Sequence, residues 1–316
     1  MSANQAMTPP YTPTIGVFDS GFGGLTVLRS LIARLPHAQF AFIGDTARLP
    51  YGSKSRRTIA RYAVESAQFL VREQKAEFLV IACNTASALA LDAIEAAVPV
   101  PVLGVIEPGA ATARAASRTG DVLVIATDAT VRSHAYAAAC KALGLRALEK
   151  ACPLLVPLVE EGWIDDGVTD SPAFPAIGTG AYAAGAAPAT PQVAVTKQVI
   201  QIYLDELLSE AKAAGMNPDT LVLGCTHYPL LRPLIERAVP GGMRVIDSAE
   251  TAAEAAVRLI QGEHGGENQG RGQASGEVTP TTIHCFATDS VGKFERLGSR
   301  FLGQPVGQVE LVDLGG

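Results

Sequence analysis

The chain of 316 residues is long enough for two domains of ordinary size. Hydrophobic residues make up 48% of the chain and charged residues 18%, which predicts a buried core and excludes wholesale disorder. Its 25 basic and 31 acidic residues give a formal net charge of −6, so nucleic acid is not expected as the main partner.

The sequence shows no sign of export, membrane insertion or metal binding. Residues 1–14 are polar and contain prolines, without the basic and apolar segments of a signal peptide. No run of about eighteen apolar residues occurs, so no membrane span is expected. The five cysteines are scattered and form no CxxC pair, which favours reduced thiols over disulfides or a structural zinc site. We therefore expect a cytoplasmic protein that holds no metal.

The first half of the chain alternates apolar strands with amphipathic helices. The sequence predicts strands over 14–18, 40–43, 78–82 and 99–105, and helices over 25–35, from about 55 to 75, and over 84–97. Either Ser53 or Ser55 is expected to cap the second helix, and residues 107–109 are expected to form a turn. The short connections favour a parallel sheet.

A second series of the same kind begins at residue 121. Strands are predicted over 122–126, 221–223, 244–246 and 281–286, and helices over 131–143, 197–213, 230–238, 249–261 and 290–301. Two segments lack apolar periodicity: 170–191 is predicted as an inserted loop, and 262–276 as exposed and mobile. The predicted fold class is α/β, with mainly parallel sheets.

The first predicted strand ends in Asp19 and Ser20, followed by the glycine-rich turn at 21–24. Its spacing differs from that of the dinucleotide-binding fingerprint. A purely structural turn and an anion cradle are both open as explanations for the glycines. A carboxylate at the carboxyl end of a strand favours a functional site, because open α/β sheets bind ligands at that edge.

Two predicted strand ends repeat one motif. FLVIACNTA, which begins at Phe78, aligns without a gap with a second stretch that contains LVLGCTHYP and places Cys83 on Cys225. Each cysteine precedes a predicted helix, whose N-terminus stabilises a thiolate. If the two sulfurs face one small molecule, one can remove a proton and the other can return one, which inverts a stereocentre. Asp19 and His227 are the candidates that set which sulfur is ionised.

Six stretches together resemble the glutamate racemases of the aspartate/glutamate racemase superfamily. They are IGVFDSGFGGLTVL at Ile15, IGDTARLPYGSKS at Ile43, ACNTAS at Ala82, VPVLGVIEP at Val100, CPLLVPLVEEG at Cys152 and LGCTHYPLL at Leu223. The resemblance implies a cofactor-independent isomerase that interconverts L- and D-glutamate, with the D-isomer entering peptidoglycan. It also implies a homodimer.

The resemblance further implies roles for residues at the matching positions. Cys83 is implied as the base for D-glutamate and Cys225 as the base for L-glutamate, with Asp19 and His227 as their respective partners. Glu160 is implied as a third polar support, and the neighbouring Glu161 is the alternative. The substrate ligands that it implies are Asp19, Ser20, Tyr51, Gly52, Asn84, Thr85, Thr130, Thr226 and His227.

The fold implied by the resemblance is two pseudo-symmetric α/β domains with the active site in the cleft between them. The first domain is expected to comprise residues 1–106 and 229–316, and the second residues 107–228. Each domain then carries one of the two motif cysteines. The two aperiodic segments are not part of the common pattern of these enzymes, and they lie away from the motifs.

Three other functions are compatible with parts of this pattern. An aspartate racemase would use the same thiol chemistry in a pocket of different length. A non-catalytic binding protein could keep the fold, but it would leave both cysteines without a role. A cysteine hydrolase with Cys225 as nucleophile and His227 as base is disfavoured, because residues two apart seldom aim at each other and Cys83 has no part in it.

Overall fold

The computed structural model describes residues 13–164, 190–264 and 281–315. Its strands are β1 (Thr14–Asp19), β2 (Gln39–Gly44), β3 (Phe78–Ile81), β4 (Val102–Gly104), β5 (Asp121–Ala126), β6 (Arg146–Ala151), β7 (Thr220–Gly224), β8 (Arg244–Asp247), β9 (Thr282–Ala287) and β10 (Val309–Leu311). Its helices are α1 (Leu25–Arg34), α2 (Arg56–Arg72), α3 (Asn84–Leu89), α4 (Leu91–Ala97), α5 (Ile106–Ala116), α6 (Asp128–Ser133), α7 (Ala135–Ala142), α8 (Leu155–Glu160), α9 (Pro191–Ala213), α10 (Arg232–Ala238), α11 (Ser248–His264) and α12 (Val291–Leu302). No helix of this described part is long and apolar enough to cross a membrane.

The strands form two sheets, and every described strand pair is parallel. The first sheet has the order β10-β9-β2-β1-β3-β4, and the second has the order β6-β5-β7-β8. The central strands β3, β5 and β7 are buried along their whole length, as expected of continuous apolar runs covered on both faces. The predicted α/β class with mainly parallel sheets is confirmed.

The same strand order occurs in both sheets. β2-β1-β3-β4 in the first corresponds to β6-β5-β7-β8 in the second. The two strands that lead to the motif cysteines, β3 and β7, therefore occupy equivalent places beside the first strand of each unit. The internal sequence repeat coincides with a repeat of topology, and the carboxyl ends of β3 and β7 both carry a cysteine.

The assignment of strands to the predicted domains needs one correction. Residues 229–316 were expected in the first domain, but β8 pairs with β7 in the second sheet, in a register that runs from Thr220 with Arg244 to Leu223 with Asp247. The chain completes a β7–α10–β8 crossover, which supplies the fourth strand of the second unit, before it returns. β9 then pairs with β2 in the first sheet. The division into two domains otherwise stays a prediction.

Several predicted elements differ from the structure for local reasons. Residues 107–109 lie inside α5 rather than in a turn, because a proline in the first helical turn removes an N–H that would have no partner there. The helix expected over 84–97 is interrupted at Ala90, and the one over 131–143 at His134, which has a left-handed φ of 55°. Ser55, not Ser53, caps α2 through the N–H of Thr58.

The two aperiodic segments fall mainly outside the described residues. Only the last two residues of the loop predicted over 170–191 belong to the described part of the chain. There, Thr190 caps α9 and Pro191 occupies its first turn, so the helix begins six residues before the predicted start at 197. For the segment predicted as mobile over 262–276, residues from 265 onward lie outside the described residues. Residues 262–264 belong to α11, which extends to His264.

Candidate active site

Cys83 follows the end of β3 after one intervening residue, Ala82, and caps α3. Its sulfur accepts a hydrogen bond from the Ala86 N–H at 3.4 Å and lies 3.4 Å from the hydroxyl oxygen of Ser20. The residue is only 5% exposed. Burial and then the nearby Asp19 raise the pKa of the Cys83 thiol to about 12, although Ser20 and the helix N-terminus oppose them. This half of the site therefore favours the protonated sulfur.

Asp19 ends β1 and joins the two halves of the site. Its Oδ2 accepts from the Gly21 N–H at 2.9 Å, and its Oδ1 accepts from the Thr226 hydroxyl at 3.5 Å. Thr226 follows Cys225 in the second unit, so this contact brings the ends of β1 and β7 together. Burial raises the pKa of Asp19 above its ordinary value, opposed by the charge of His227 and by these hydrogen bonds.

Cys225 directly follows β7 and faces the imidazole of His227. The distance from its sulfur to Nδ1 is 3.9 Å. The expectation that residues two apart would not aim at each other is therefore wrong at this position. The backbone turns here, with the Tyr228 N–H donating to the Cys225 carbonyl at 3.1 Å, and this turn brings the two side chains to one side.

Glu160, at the end of α8, contacts the far side of the same imidazole. Its Oε1 lies 3.2 Å from Nε2 of His227, whereas Glu161 is exposed. Burial by itself lowers the pKa of His227, but Cys225 and Glu160 outweigh it and raise the pKa to about 10. Burial would raise the pKa of Glu160, yet His227 and Lys293 hold it below its usual value. The imidazole is thus held in its cationic form beside Cys225.

The glycine-rich turn packs against both halves of the site. A Cβ placed on Gly23 would lie 2.2 Å from Oγ1 of Thr226, and one on Gly24 would lie 2.5 Å from Cβ of Asp19. Both distances are far inside van der Waals contact. The Gly21 N–H already binds the Asp19 carboxylate. Of the two explanations left open by the sequence, the structure supports a turn required for close packing.

Three threonine hydroxyls form a cluster where the two units meet. Thr85 lies 2.9 Å from Thr127 and 3.2 Å from Thr130, and Thr127 lies 2.9 Å from Thr130. A Cβ on Gly52 would lie 3.2 Å from Cβ of Thr127, so that glycine borders the cluster. Sequence reasoning missed Thr127 as a site residue. Its position could have indicated this role, because Thr127 directly follows β5 just as Ser20 directly follows β1.

The remaining implied substrate ligands have partners within the protein. Tyr51 is buried and donates its hydroxyl to Oδ2 of Asp45 at 2.5 Å, so this hydroxyl is already bound within the protein. Asn84 follows Cys83, and its Oδ1 accepts from the Tyr136 hydroxyl at 2.6 Å. Its Nδ2 is 3.5 Å from Oγ of Ser248. Tyr136 was also missed, because one tyrosine on an apolar helix does not signal a partner across the fold.

Tyr136→Phe is expected to lower the free energy of unfolding by about 1–3 kcal/mol, the cost of leaving the buried Asn84 oxygen without its donor. The matched control is Tyr203→Phe, because Tyr203 is only partly buried and accepts a longer bond of 3.4 Å from Leu154 N. The control is expected to lose less than about 1 kcal/mol. Urea denaturation monitored by circular dichroism measures both changes, and equal losses would contradict the prediction.

These observations place Asp19, Ser20, Cys83 and Thr226 in one connected group. Cys225, His227 and Glu160 form a second group. The threonine cluster and Asn84 border them. Each sulfur thus has its own ionisable neighbour, a carboxyl beside Cys83 and an imidazole beside Cys225. Such an arrangement can move one proton onto a bound molecule and another off it.

Comparisons with known proteins show which family the chain is similar to. The family model described as Asp/Glu/Hydantoin racemase matches residues 15–170. A glutamate racemase from Koribacter versatilis is 49% identical over 318 residues, which cover 96% of this chain and 98% of the relative. Another from Geobacter metallireducens is 41% identical and covers 95% of this chain and 96% of the relative.

Solved structures give the same result. Glutamate racemase isoform RacE1 from Bacillus anthracis has a TM-score of 0.77 at 32% identity, over 96% of this chain and 98% of that one. The Francisella tularensis glutamate racemase, solved with D-glutamate, has a TM-score of 0.75 at 30% identity, with the same coverage. The chain therefore belongs to the glutamate racemase family.

Proposed function

We propose that this protein interconverts L- and D-glutamate by proton transfer between the α-carbon and two cysteines. The observation that carries the proposal is the pair of buried sulfurs at equivalent strand ends of two sheets, each beside its own ionisable partner. The relatives are glutamate racemases, and this supports glutamate as the substrate. The complex of the Francisella tularensis enzyme with D-glutamate supports a small amino acid as the ligand.

In the direction from L- to D-glutamate, the Cys225 thiolate removes the α-proton and the Cys83 thiol delivers a proton to the opposite face. One S–H bond forms at Cys225 while one breaks at Cys83, so the product leaves with its configuration inverted. The cationic His227 stabilises negative charge on the Cys225 sulfur, and the carboxyl of Asp19 disfavours negative charge on Cys83. The reverse direction exchanges the two roles.

The substrate carboxylates are proposed to bind the hydroxyl and amide groups that surround the sulfurs. These groups belong to Ser20, Asn84, Thr85, Thr127, Thr130 and Thr226. Gly52 borders the threonine cluster, and the backbone at Tyr51 and Gly52 is proposed to complete the set. Hydroxyls and amides suit this task because they hold a carboxylate without the fixed charge that would pair with a catalytic group.

The cellular role is proposed from the family. D-glutamate made by this reaction would enter peptidoglycan. The five cysteines all lie within the described residues and are free, which is the state expected in a reducing cytoplasm. The homodimer implied by the sequence stays a prediction.

The decisive experiment is incubation of the purified protein with L-glutamate in D₂O without added cofactor. We expect loss of optical activity, with α-deuterium appearing mainly in the D-product, because each base exchanges its own proton with solvent. Parallel incubation with L-aspartate tests the other superfamily substrate. Turnover of aspartate alone would contradict the substrate, and no turnover of either amino acid would contradict a racemase and favour a binding protein.

A further inference from the structure

Lys293 reaches the Cys225 half of the site from a helix that follows a strand of the other sheet. It lies in the first turn of α12, and its Nζ is 3.6 Å from Oε2 of Glu160. The other carboxylate oxygen, Oε1, is 3.2 Å from Nε2 of His227. Glu160 therefore lies between two nitrogens and connects Lys293 to the imidazole that faces the sulfur of Cys225.

Two further contacts hold α12 against the same half of the site. Arg300 donates from Nη1 to the Val159 carbonyl at 3.3 Å, at the C-terminal end of α8. The ring of Phe301 meets the His227 ring edge-on, with 5.0 Å between the ring centroids. Both residues lie about two helical turns after Lys293, which places all three on one face of α12. This face therefore packs on the imidazole and on the helix that carries Glu160.

The surroundings of Lys293 fix where its ammonium lies. Its Nζ is 5.4 Å from the ring centroid of Phe22, in the turn after β1. The Lys293 side chain is 43% exposed, and that of Glu160 is 19% exposed. A pair this exposed contributes little to the stability of the fold. Its effect is therefore expected in the orientation of the carboxylate rather than in the free energy of unfolding.

We propose that Lys293 is a positioning residue of the racemase site, which holds the Glu160 carboxylate in the orientation that keeps His227 against Cys225. The inference rests on the proposed function, because it gives Lys293 a part in proton transfer at Cys225. The charged groups around Glu160 are His227 after β7, Lys293 and Arg300 on α12, and Glu161, which caps the C-terminal end of α8. Lys293 contacts the carboxylate oxygen that His227 leaves available.

Lys293→Met is expected to lower kcat for L-glutamate about two- to five-fold with little change in KM, the size of effect that a partly exposed ion pair gives. The acid limb of the kcat/KM profile is expected to move to higher pH, because Glu160 loses a cation that favours its ionised form. Lys293→Arg should restore most of the activity. Lys141→Met, at an exposed position of α7, is the control for loss of one positive charge and should match the wild type.

A ¹³C NMR titration of the Glu160 carboxyl, assigned with Glu160→Gln, tests the same contact without turnover. The midpoint is expected to rise in Lys293→Met relative to the wild type and to Lys141→Met. An unchanged midpoint together with an unchanged acid limb overturns the inference, even in an enzyme that racemises glutamate. A raised midpoint in a protein that does not racemise glutamate supports the contact and overturns the proposed function.

Discussion

In variants that carry Cys83→Ser or Cys225→Ser, glutamate racemisation is expected to fall by about 10²- to 10⁴-fold, the usual contribution of one general acid or base. A serine hydroxyl is far less acidic than a thiol, so it neither gives nor takes the α-proton effectively at neutral pH. Both sulfurs are 5% exposed and each has its own partner, Ser20 beside Cys83 and His227 beside Cys225. Neither thiol can therefore replace the other. Racemisation is measured by circular dichroism from each enantiomer.

The two variants are expected to differ in the enantiomer whose α-proton they still exchange. Cys83→Ser retains the base for L-glutamate, so in D₂O it should label L-glutamate slowly without inverting it, and Cys225→Ser should do the same with D-glutamate. Proton NMR separates these outcomes. Cys285→Ala changes a buried cysteine of β9 outside the site and should keep full activity. Racemisation at the wild-type rate by either serine variant would show that one thiol suffices.

The parts of the fold that the sequence predicted are those fixed by local patterns. Buried parallel strands are continuous apolar runs, and such a run that stops at a cysteine is visible without tertiary information. This is why the ends of β3 and β7 were both located and aligned with each other. The carboxylate of Asp19 at the end of β1 was found in the same way. Glu160 and Glu161 could not be separated on residue type alone, and the structure selects Glu160 because it lies 3.2 Å from the imidazole.

The parts that were missed depend on contacts between distant segments. β6 contains three charged residues, is only partly buried and lies at a sheet edge, so it lacks the apolar run of a central strand. β8 was assigned to the other domain because the point at which a chain leaves one sheet depends on pairing, which composition does not encode. Tyr136 and Lys293 gain their partners only when helices of one unit meet residues of the other.

Gly24→Ala is expected to lower racemisation by about 100-fold or more, because a displacement of about 1 Å at a catalytic group has that effect. The new methyl group would lie 2.5 Å from Cβ of Asp19 and 3.0 Å from Cβ of Ala82. Both atoms are attached directly to buried backbone, so no flexible side-chain end can move aside. The overpacking should also lower the free energy of unfolding by about 1–3 kcal/mol. Circular dichroism measures both the rate of racemisation and, in a urea titration, the free energy of unfolding.

The matched control is Gly292→Ala, in the first turn of α12, where an added Cβ meets no atom within 4 Å. Because alanine is favoured over glycine in a helix by about 1 kcal/mol, this variant should be as stable as the wild type or slightly more so, with unchanged activity. Equal activity and stability of the two variants would mean that Asp19 can shift without loss of racemisation or of stability. A loss confined to Gly24→Ala, with its folded spectrum retained, links the glycine-rich turn to the position of the carboxylate that lies between Cys83 and Thr226.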